Sequence, residues 1–245
     1  MNVISSRNNS TVAYLTVFAV SFASSLYLIP PFPSSQPRSL DPETVRFVGD
    51  VICEMEFSEK GETKISRWAK SPRLSVFGND DLHPVVVKNV VKQINYCLPK
   101  EIQIKHLPDK DDSANMKVYF VPVSEFPKIA EQHGFQWVEG NWGFFDLRWN
   151  KEHEIQRAIV LIATDKLYGS RLHHFLLEEV TQSLGMAGDS KRYPKSVFYE
   201  DEPRGKFGKA TRLSPLDRKT IRFFYNHVKP GSQPIEVGVQ MAKHW

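Results

Sequence analysis

Residues Ala158–Ala163, which read AIVLIA, form an apolar run without a single charged or hydroxyl-bearing side chain. A short apolar run of this kind predicts a buried β-strand. Other apolar patterns predict three further strands, Arg73–Phe77, Glu101–Leu107 and Met116–Val123, and a helix at His83–Leu98. Another helix begins near Arg171. The order strand, helix, strand, strand, strand, helix predicts an α/β domain in which helices pack on a sheet.

Two other segments complete the predicted architecture. Ser39–Phe57 has apolar residues at helical spacing behind Asp41 and Pro42, which are typical of a helix start. Gly134–Asn150 is rich in aromatic residues and glycine, and we interpret it as a hairpin or a long loop over the sheet.

The composition limits the classes of partner. The chain has 245 residues, of which 41% are hydrophobic, so it is long enough and apolar enough to build a substantial core. Its formal net charge of +4 is spread along the chain, without a basic block interleaved with aromatic residues. This pattern predicts no nucleic-acid partner.

The two cysteines, Cys53 and Cys97, lie in predicted amphipathic helices. Two buried thiols or one disulfide are equally compatible with these positions. The sequence contains no CxxC pair or Cys/His cluster, which excludes a zinc-finger site.

The N-terminal region predicts export. Thr11–Ile29 carries no charge, and about 20 apolar residues suffice to cross a bilayer. Two interpretations stay open: a signal peptide cleaved after Ala23, or an uncleaved anchor that would attach the chain to a membrane. Either places the remainder in the periplasm or facing the exterior. Predicted boundaries are a signal peptide or anchor at 1–29, a Pro/Ser linker at 30–40 and a domain at 41–245.

The helix that begins near Arg171 carries the candidate functional residues. On a helical wheel its apolar side chains occupy one side, and a second stripe holds His174, Glu178, Gln182 and Gly185. Glu179 lies between the two stripes. Gly185 is suited to ending the helix in a left-handed turn. The pattern therefore gathers carboxylate, amide and imidazole groups on neighbouring faces of one helix.

This stretch resembles the active-site helix of the metzincin clan of zinc peptidases, whose motif is HExxHxxGxxH. The aligned positions here hold Glu178, Glu179, Gln182, Gly185 and Gly188, followed by Asp189. The general-base glutamate, the turn glycine and the trailing aspartate agree, whereas all three histidine positions differ.

Two later segments extend the metzincin resemblance over roughly Arg73–Asn226, the predicted core. SVFY at Ser196–Tyr199 is similar to the methionine-containing turn beneath the metal, with Phe198 at the methionine position and Tyr199 after it. LSPLDRKTIRFFY at Leu213–Tyr225 is similar to the last helix, with Ser214 and Asp217 as its capping residues. The resemblance implies a zincin-like fold: a mixed, twisted sheet of about four to five strands, two packed helices and a C-terminal helix.

A closer resemblance is to a bacterial cell-envelope family of unknown function. That family carries EExxQxLGxxxDS on this helix, and this chain reads EEVTQSLGMAGDS. It also carries an S-[IV]-F segment and an ending that this chain matches with LSPLDRKTIRFFYNHVKPG. The resemblance implies that the absence of the histidines is a family trait.

The site residues support two kinds of chemistry. The candidate metal ligands are Glu178, Gln182 and Asp189, with His174 one turn earlier, and such an oxygen-rich set suits calcium, manganese or magnesium better than zinc. Without a metal, Glu179 is the candidate general base and Glu178 the second candidate catalytic carboxylate. The simpler alternative is that the two glutamates form a solvated helix face.

We therefore expect a binding module that has lost catalysis, and the alternative is a peptidase-like hydrolase that uses Glu179 as general base. The expected partner is a peptide, a glycan or an envelope protein. It would add as a strand beside Ala158–Ala163, interpreted as the edge of the sheet, with Trp142 and Trp149 as anchoring rings.

Overall fold

A computed structural model describes residues 40–54, 64–78, 83–201 and 206–245, and Ser39–Trp245 form one compact unit. In the described residues the helices are α1 Pro42–Cys53, α2 His83–Asn95, α3 Phe126–His133, α4 Gly169–Gln182, α5 Pro215–His227 and α6 Pro234–His244. The strands are β1 Arg73–Gly78, β2 Lys105–His106, β3 Met116–Val121, β4 Gly143–Trp149, β5 Ile155–Ala163, β6 Glu200–Asp201 and β7 Lys206–Phe207.

The first five strands form one mixed sheet in the order β2-β1-β3-β5-β4, and β6 pairs separately with β7. Strands β2, β1, β3 and β5 are parallel, whereas β4 runs antiparallel to β5. This arrangement confirms the predicted α/β class and the number of strands. The six described helices exceed the predicted number.

The expectation that Ala158–Ala163 forms the edge of the sheet is wrong. These residues belong to β5, which pairs with β3 on one side and with β4 on the other. The edge strand next to β5 is β4, which lies in the stretch interpreted as a hairpin or loop. Its residues Phe144, Phe145 and Leu147 are all buried, so the alternation that would identify a strand with one solvated face is missing.

The segment Glu101–Leu107 forms less strand than its alternating residues predict. Lys100–Ile102 is a 3-10 turn, and only the two residues of β2 pair with β1. The Asn95 side chain explains the difference, because it accepts a hydrogen bond from the Ile104 N–H at 2.8 Å and donates to the Ile104 carbonyl at 3.0 Å. These bonds tie the segment to the end of α2 instead of to a longer ladder.

Two helices outside the predicted core also belong to the hydrophobic interior. Helix α1 begins at its N-cap Asp41 and buries Phe47, Val48 and Val51. Helix α6, which we did not predict, buries Val237 and Met241 in the same cluster of apolar side chains. The core therefore extends beyond residues 73–226 on both sides.

Both cysteines are free thiols, which decides between the two interpretations that the sequence left open. Cys97 is buried and Cys53 is half-buried, and desolvation raises the pKa of the Cys53 thiol to about 11. Among the described residues, no helix combines the length and the hydropathy needed to cross a bilayer. The predicted export segment, Thr11–Ile29, lies outside the described residues.

A buried carboxyl joins the SVFY segment to helix α5. Asp217 has no exposed surface and accepts hydrogen bonds from the Ser196 hydroxyl at 2.6 Å and from the Val197 N–H at 3.1 Å. It also accepts from the Ser214 N–H at 2.8 Å, and the Ser214 hydroxyl accepts from the Asp217 N–H, which completes a capping box at the start of α5. One side chain thereby satisfies donors from two segments.

We expect Asp217→Ala to lower the free energy of unfolding by about 2–4 kcal/mol, because two buried donors and one half-buried donor lose their acceptor. Asp217→Asn keeps one acceptor oxygen and should cost clearly less. Urea denaturation measures both.

Burial raises the pKa of Asp217 above 3.8, although its hydrogen bonds oppose this shift. The stabilisation from this carboxyl is therefore complete below about pH 3.8 and declines as the pH rises through the higher folded pKa. That decline with pH should be missing in Asp217→Asn. Equal losses of unfolding free energy in Asp217→Ala and Asp217→Asn would contradict the predicted difference between these variants.

Candidate functional site

A cleft of about 140 Å³ lies between α4 and the beginning of β4. An engineered cavity of about 150 Å³ holds benzene, so the cleft has room for one side chain of moderate size. Helix α4 contributes Arg171, Phe175, Glu178, Glu179 and Gln182, and the loop before β4 and β4 itself contribute Gly140, Asn141, Trp142, Gly143, Phe144 and Phe145. Asp189, Tyr199, Glu200 and Gly208 complete the described lining.

The end of α4 brings the following loop back to the cleft. The helix ends at Gln182, and Gly185 then adopts a φ of +104°. A Cβ at position 185 would lie 2.2 Å from the Ser66 carbonyl oxygen, so both the backbone angle and the space require glycine. The turn lets Asp189 return to the helix, where the Gln182 amide nitrogen donates to Asp189 Oδ1 at 2.8 Å.

Glu179 lies against the first residue of the edge strand. Glu179 is only 6% exposed. A Cβ on Gly143 would lie 2.3 Å from Glu179 Oε1. Glycine at 143 therefore makes room for this carboxylate. Sequence reasoning missed Gly143, because a glycine in an aromatic-rich stretch gave no indication of what approaches it.

His174 lies behind the wall of the cleft and is not part of its lining. Its Nδ1 is 2.9 Å from the Ala210 carbonyl oxygen, so Nδ1 carries the proton in this contact, and its Nε2 is 3.4 Å from Glu178 Oε2. A Cβ on Gly208 would lie 2.5 Å from Nε2, so backbone covers that side of the ring. Burial lowers the pKa of His174, which favours the neutral ring.

Two contacts involve the four candidate metal ligands: His174 Nε2 lies 3.4 Å from Glu178 Oε2, and the Gln182 amide nitrogen donates to Asp189 Oδ1 at 2.8 Å. The described residues include no group of three His, Cys, Asp or Glu side chains arranged to hold a metal ion. The Gln182 amide presents its N–H group to Asp189, so Asp189 Oδ1 accepts a hydrogen bond from one of the other candidate ligands. As metal ligands, these carboxylate, amide and imidazole groups do not fit zinc. Among the described residues they also do not form an oxygen cage for a larger cation.

Gly188, at the third histidine position of the metzincin motif, has no room for a side chain. A Cβ there would lie 2.0 Å from the Asp50 carbonyl oxygen and 2.8 Å from that of Glu54. Helix α1 therefore excludes any side chain, a histidine included, from this position.

The SVFY segment lies on the other side of the cleft. Tyr199 lines it, whereas Phe198 is fully buried and its ring centroid lies 6.3 Å from that of Phe47. The Ser190 N–H donates to the Phe198 carbonyl at 2.8 Å, and the Glu200 N–H donates to the Ser190 carbonyl at 3.2 Å. These bonds join the loop that carries Asp189 to the segment that carries Tyr199.

The two tryptophans expected to anchor a partner lie at opposite ends of β4. Trp142 lines the cleft, and the guanidinium of Arg171 lies 4.8 Å from the centroid of its ring. Trp149 packs against the main hydrophobic core and does not line the cleft. They are seven residue steps apart along the chain, roughly 23 Å at the usual rise per residue. One small ligand in the cleft cannot contact both.

Sequence reasoning also missed Arg171 and Phe175, which line the cleft on the same helix. Together with Glu178, Glu179 and Gln182 they recur at steps of three and four residues, so the helical repeat contained the necessary signal. The predicted polar stripe started from His174 and was therefore displaced from the face that meets the cleft.

Comparison with known proteins gives a family and a fold likeness. A family model described as "Protein of unknown function (DUF2927)" matches residues 45–242. One solved structure of myroilysin aligns with 9% identity and a TM-score of 0.41, covering 66% of this chain and 96% of the other. A second myroilysin structure aligns with 12% identity and a TM-score of 0.38, covering 74% and 93%. At these TM-scores the likeness supports no functional conclusion. No curated protein matches the sequence.

We expect Gly188→Ala to lower the free energy of unfolding by about 1–3 kcal/mol, because the added methyl group would overlap the backbone of α1. Gly49→Ala is the matched control, since Gly49 lies within α1 and a Cβ there would meet nothing within 4 Å. The control should raise stability by roughly 0.5–1 kcal/mol through helix propensity. Thermal or urea unfolding measures both, and a neutral Gly188→Ala would contradict the close contact.

Proposed function

We propose that this chain, which belongs to the DUF2927 family of proteins of unknown function, is an exported binding module that holds an extended polypeptide along β4. The observation that carries the proposal is the position of the acidic cleft at the beginning of the edge strand. A polypeptide added beside β4 would pass the mouth of this cleft and could place one side chain inside it.

The ladder between β4 and β5 determines which backbone groups face away from the sheet. The Ala163 N–H donates to the Trp142 carbonyl at 2.8 Å, so position 142 faces β5. Backbone groups alternate in an antiparallel pair, which directs those of Gly143, Phe145 and Leu147 away from β5. These are the groups that an added strand would meet.

The charge of the cleft favours a basic side chain. Its described lining contains Glu178, Glu179, Asp189 and Glu200, with Arg171 as the one cationic side chain. The acidic groups outnumber the basic one, and the low dielectric of a partly buried cleft strengthens their attraction for a cation. The aromatic walls formed by Trp142 and Phe175 would contact the apolar part of a lysine or arginine side chain.

Binding without turnover is favoured by the poor fit of a metal. Among the described residues, with Gln182 bonded to Asp189 and position 188 closed, no group of side chains forms a zinc ligand set. Export stays a prediction that rests on the uncharged run Thr11–Ile29.

The binding test uses acetylated and amidated nonapeptides with one central residue, lysine, norleucine or glutamate, on an otherwise neutral background. We expect the lysine peptide to bind most tightly, and N-methylation at alternate backbone positions to reduce its affinity by about tenfold, because each lost hydrogen bond costs roughly 0.5–1.5 kcal/mol. Calorimetry measures the affinities. Glu179→Gln should weaken lysine selectivity, whereas Glu131→Gln, on the exposed side of α3, should not. Absence of binding by every peptide would contradict the proposal.

A metal-free hydrolase is the second candidate, favoured by two buried carboxylates, Glu178 and Glu179, in one cleft. In this case Glu179 acts as general base and peptide cleavage persists in EDTA. Glu179→Gln should then reduce the rate by about 10²–10⁴-fold with the fold intact, and Glu131→Gln should leave it unchanged. Mass spectrometry of the same nonapeptides measures cleavage, and unchanged activity in Glu179→Gln would eliminate this candidate.

A further inference from the structure

We propose that Asp50, on helix α1, is a positioning residue for the cleft, because it fixes the loop that presents Asp189. The proposal concerns a helix that lies outside the resemblance to zinc peptidases. It rests on the proposed function only for the effect on ligand binding, since the position of Asp189 can be measured without a ligand.

The first contact is between the loop and the backbone of α1. The Gly188 N–H donates to the Val51 carbonyl at 3.3 Å, and the Gly188 Cα faces the Asp50 carbonyl without room for a side chain. The residue immediately before Asp189 is therefore held directly against the helix.

The second contact is made by the Asp50 side chain. Its Oδ2 accepts from the Ser190 hydroxyl at 2.7 Å and also from the Arg192 guanidinium. The Arg192 Nε donates in addition to Glu43 at 3.1 Å, on a more exposed part of α1. Asp50 thus bonds Ser190, which immediately follows Asp189, and Arg192, which lies two positions further along the chain.

Both neighbours of Asp189 are therefore fixed, and Ser190 is fixed twice. Its hydroxyl is held by Asp50, and its backbone pairs with Phe198 and Glu200. With its neighbours held in this way, Asp189 is placed within 2.8 Å of the Gln182 amide.

Helix α1 is itself held in place by the hydrophobic core. Phe47, Val48 and Val51 are completely buried, so the helix is anchored in the same core as α4. The distance between Asp189 and Gln182 is consequently set by two helices that are far apart in the sequence. Loosening the loop would let Asp189 leave the cleft wall and would change the charge that a ligand meets.

The experiment compares Asp50→Asn and Asp50→Ala with the control Glu43→Gln. Glu43 lies on the same helix and contacts the same arginine, but it bonds neither neighbour of Asp189. The first readout is the NMR signal of the Gln182 side-chain amide, identified by its loss in Gln182→Ala. The second is affinity for the lysine nonapeptide, and the third is the free energy of unfolding.

We expect Asp50→Ala to shift the Gln182 amide signal and to weaken peptide binding by about tenfold, which is within the range of coupling between residues in one network. Asp50→Asn, which keeps an acceptor for Ser190, should produce the same changes more weakly, and Glu43→Gln should produce neither. An unchanged Gln182 signal in a folded Asp50→Ala variant would overturn the proposal, even if the variant is less stable. If the wild-type protein binds no peptide, the proposed function fails, and the amide signal still decides the role of Asp50.

Discussion

The buried carboxyl of Asp217 is the interaction on which the arrangement of the cleft depends. It accepts hydrogen bonds from the SVFY segment and from the N-cap residue of α5, and it has no exposed surface. An unsatisfied buried donor is costly, so these segments have one favourable relative position. Tyr199, the last residue of the SVFY segment, lines the cleft. Asp217, a capping residue of α5, thereby helps to position Tyr199 in the wall of a cleft that is built mainly on α4.

The cleft is also shaped by close approaches between backbone and side chains. Glu179 lies against Gly143, the ring of His174 lies against Gly208, and helix α1 lies against Gly188. At these three glycines a methyl group would overlap Glu179 Oε1, the ring of His174 or the Asp50 carbonyl oxygen, respectively. The position of Gly188 bears most directly on function, because it closes the third histidine position of the resembled motif to any side chain.

Local pattern was sufficient to identify much of the fold. The apolar run of β5, the helical repeats of α1, α2 and α4, and the capping residues Ser214 and Asp217 each report on interactions within a few residues of the chain. Local pattern failed where a distant contact decided the outcome. The Asn95 side chain shortened β2, and coverage of both faces hid β4 among aromatic residues. The start of α6 does carry local signals, Pro234 and Glu236, which we did not interpret as a helix.

The sequence by itself determined that Glu178, Glu179 and Gln182 share one helix, because the helical repeat fixes the angle between neighbouring side chains. It also determined that three histidine positions of the resembled motif hold other residues. Only the tertiary structure decided that His174 lies behind the cleft, that Gln182 bonds Asp189, and that β4 instead of β5 forms the edge of the sheet. The reason is that these relations depend on the packing of α1, β4 and the loop after α4 against one another. Contacts between segments distant in the chain leave no periodic pattern within any one of them.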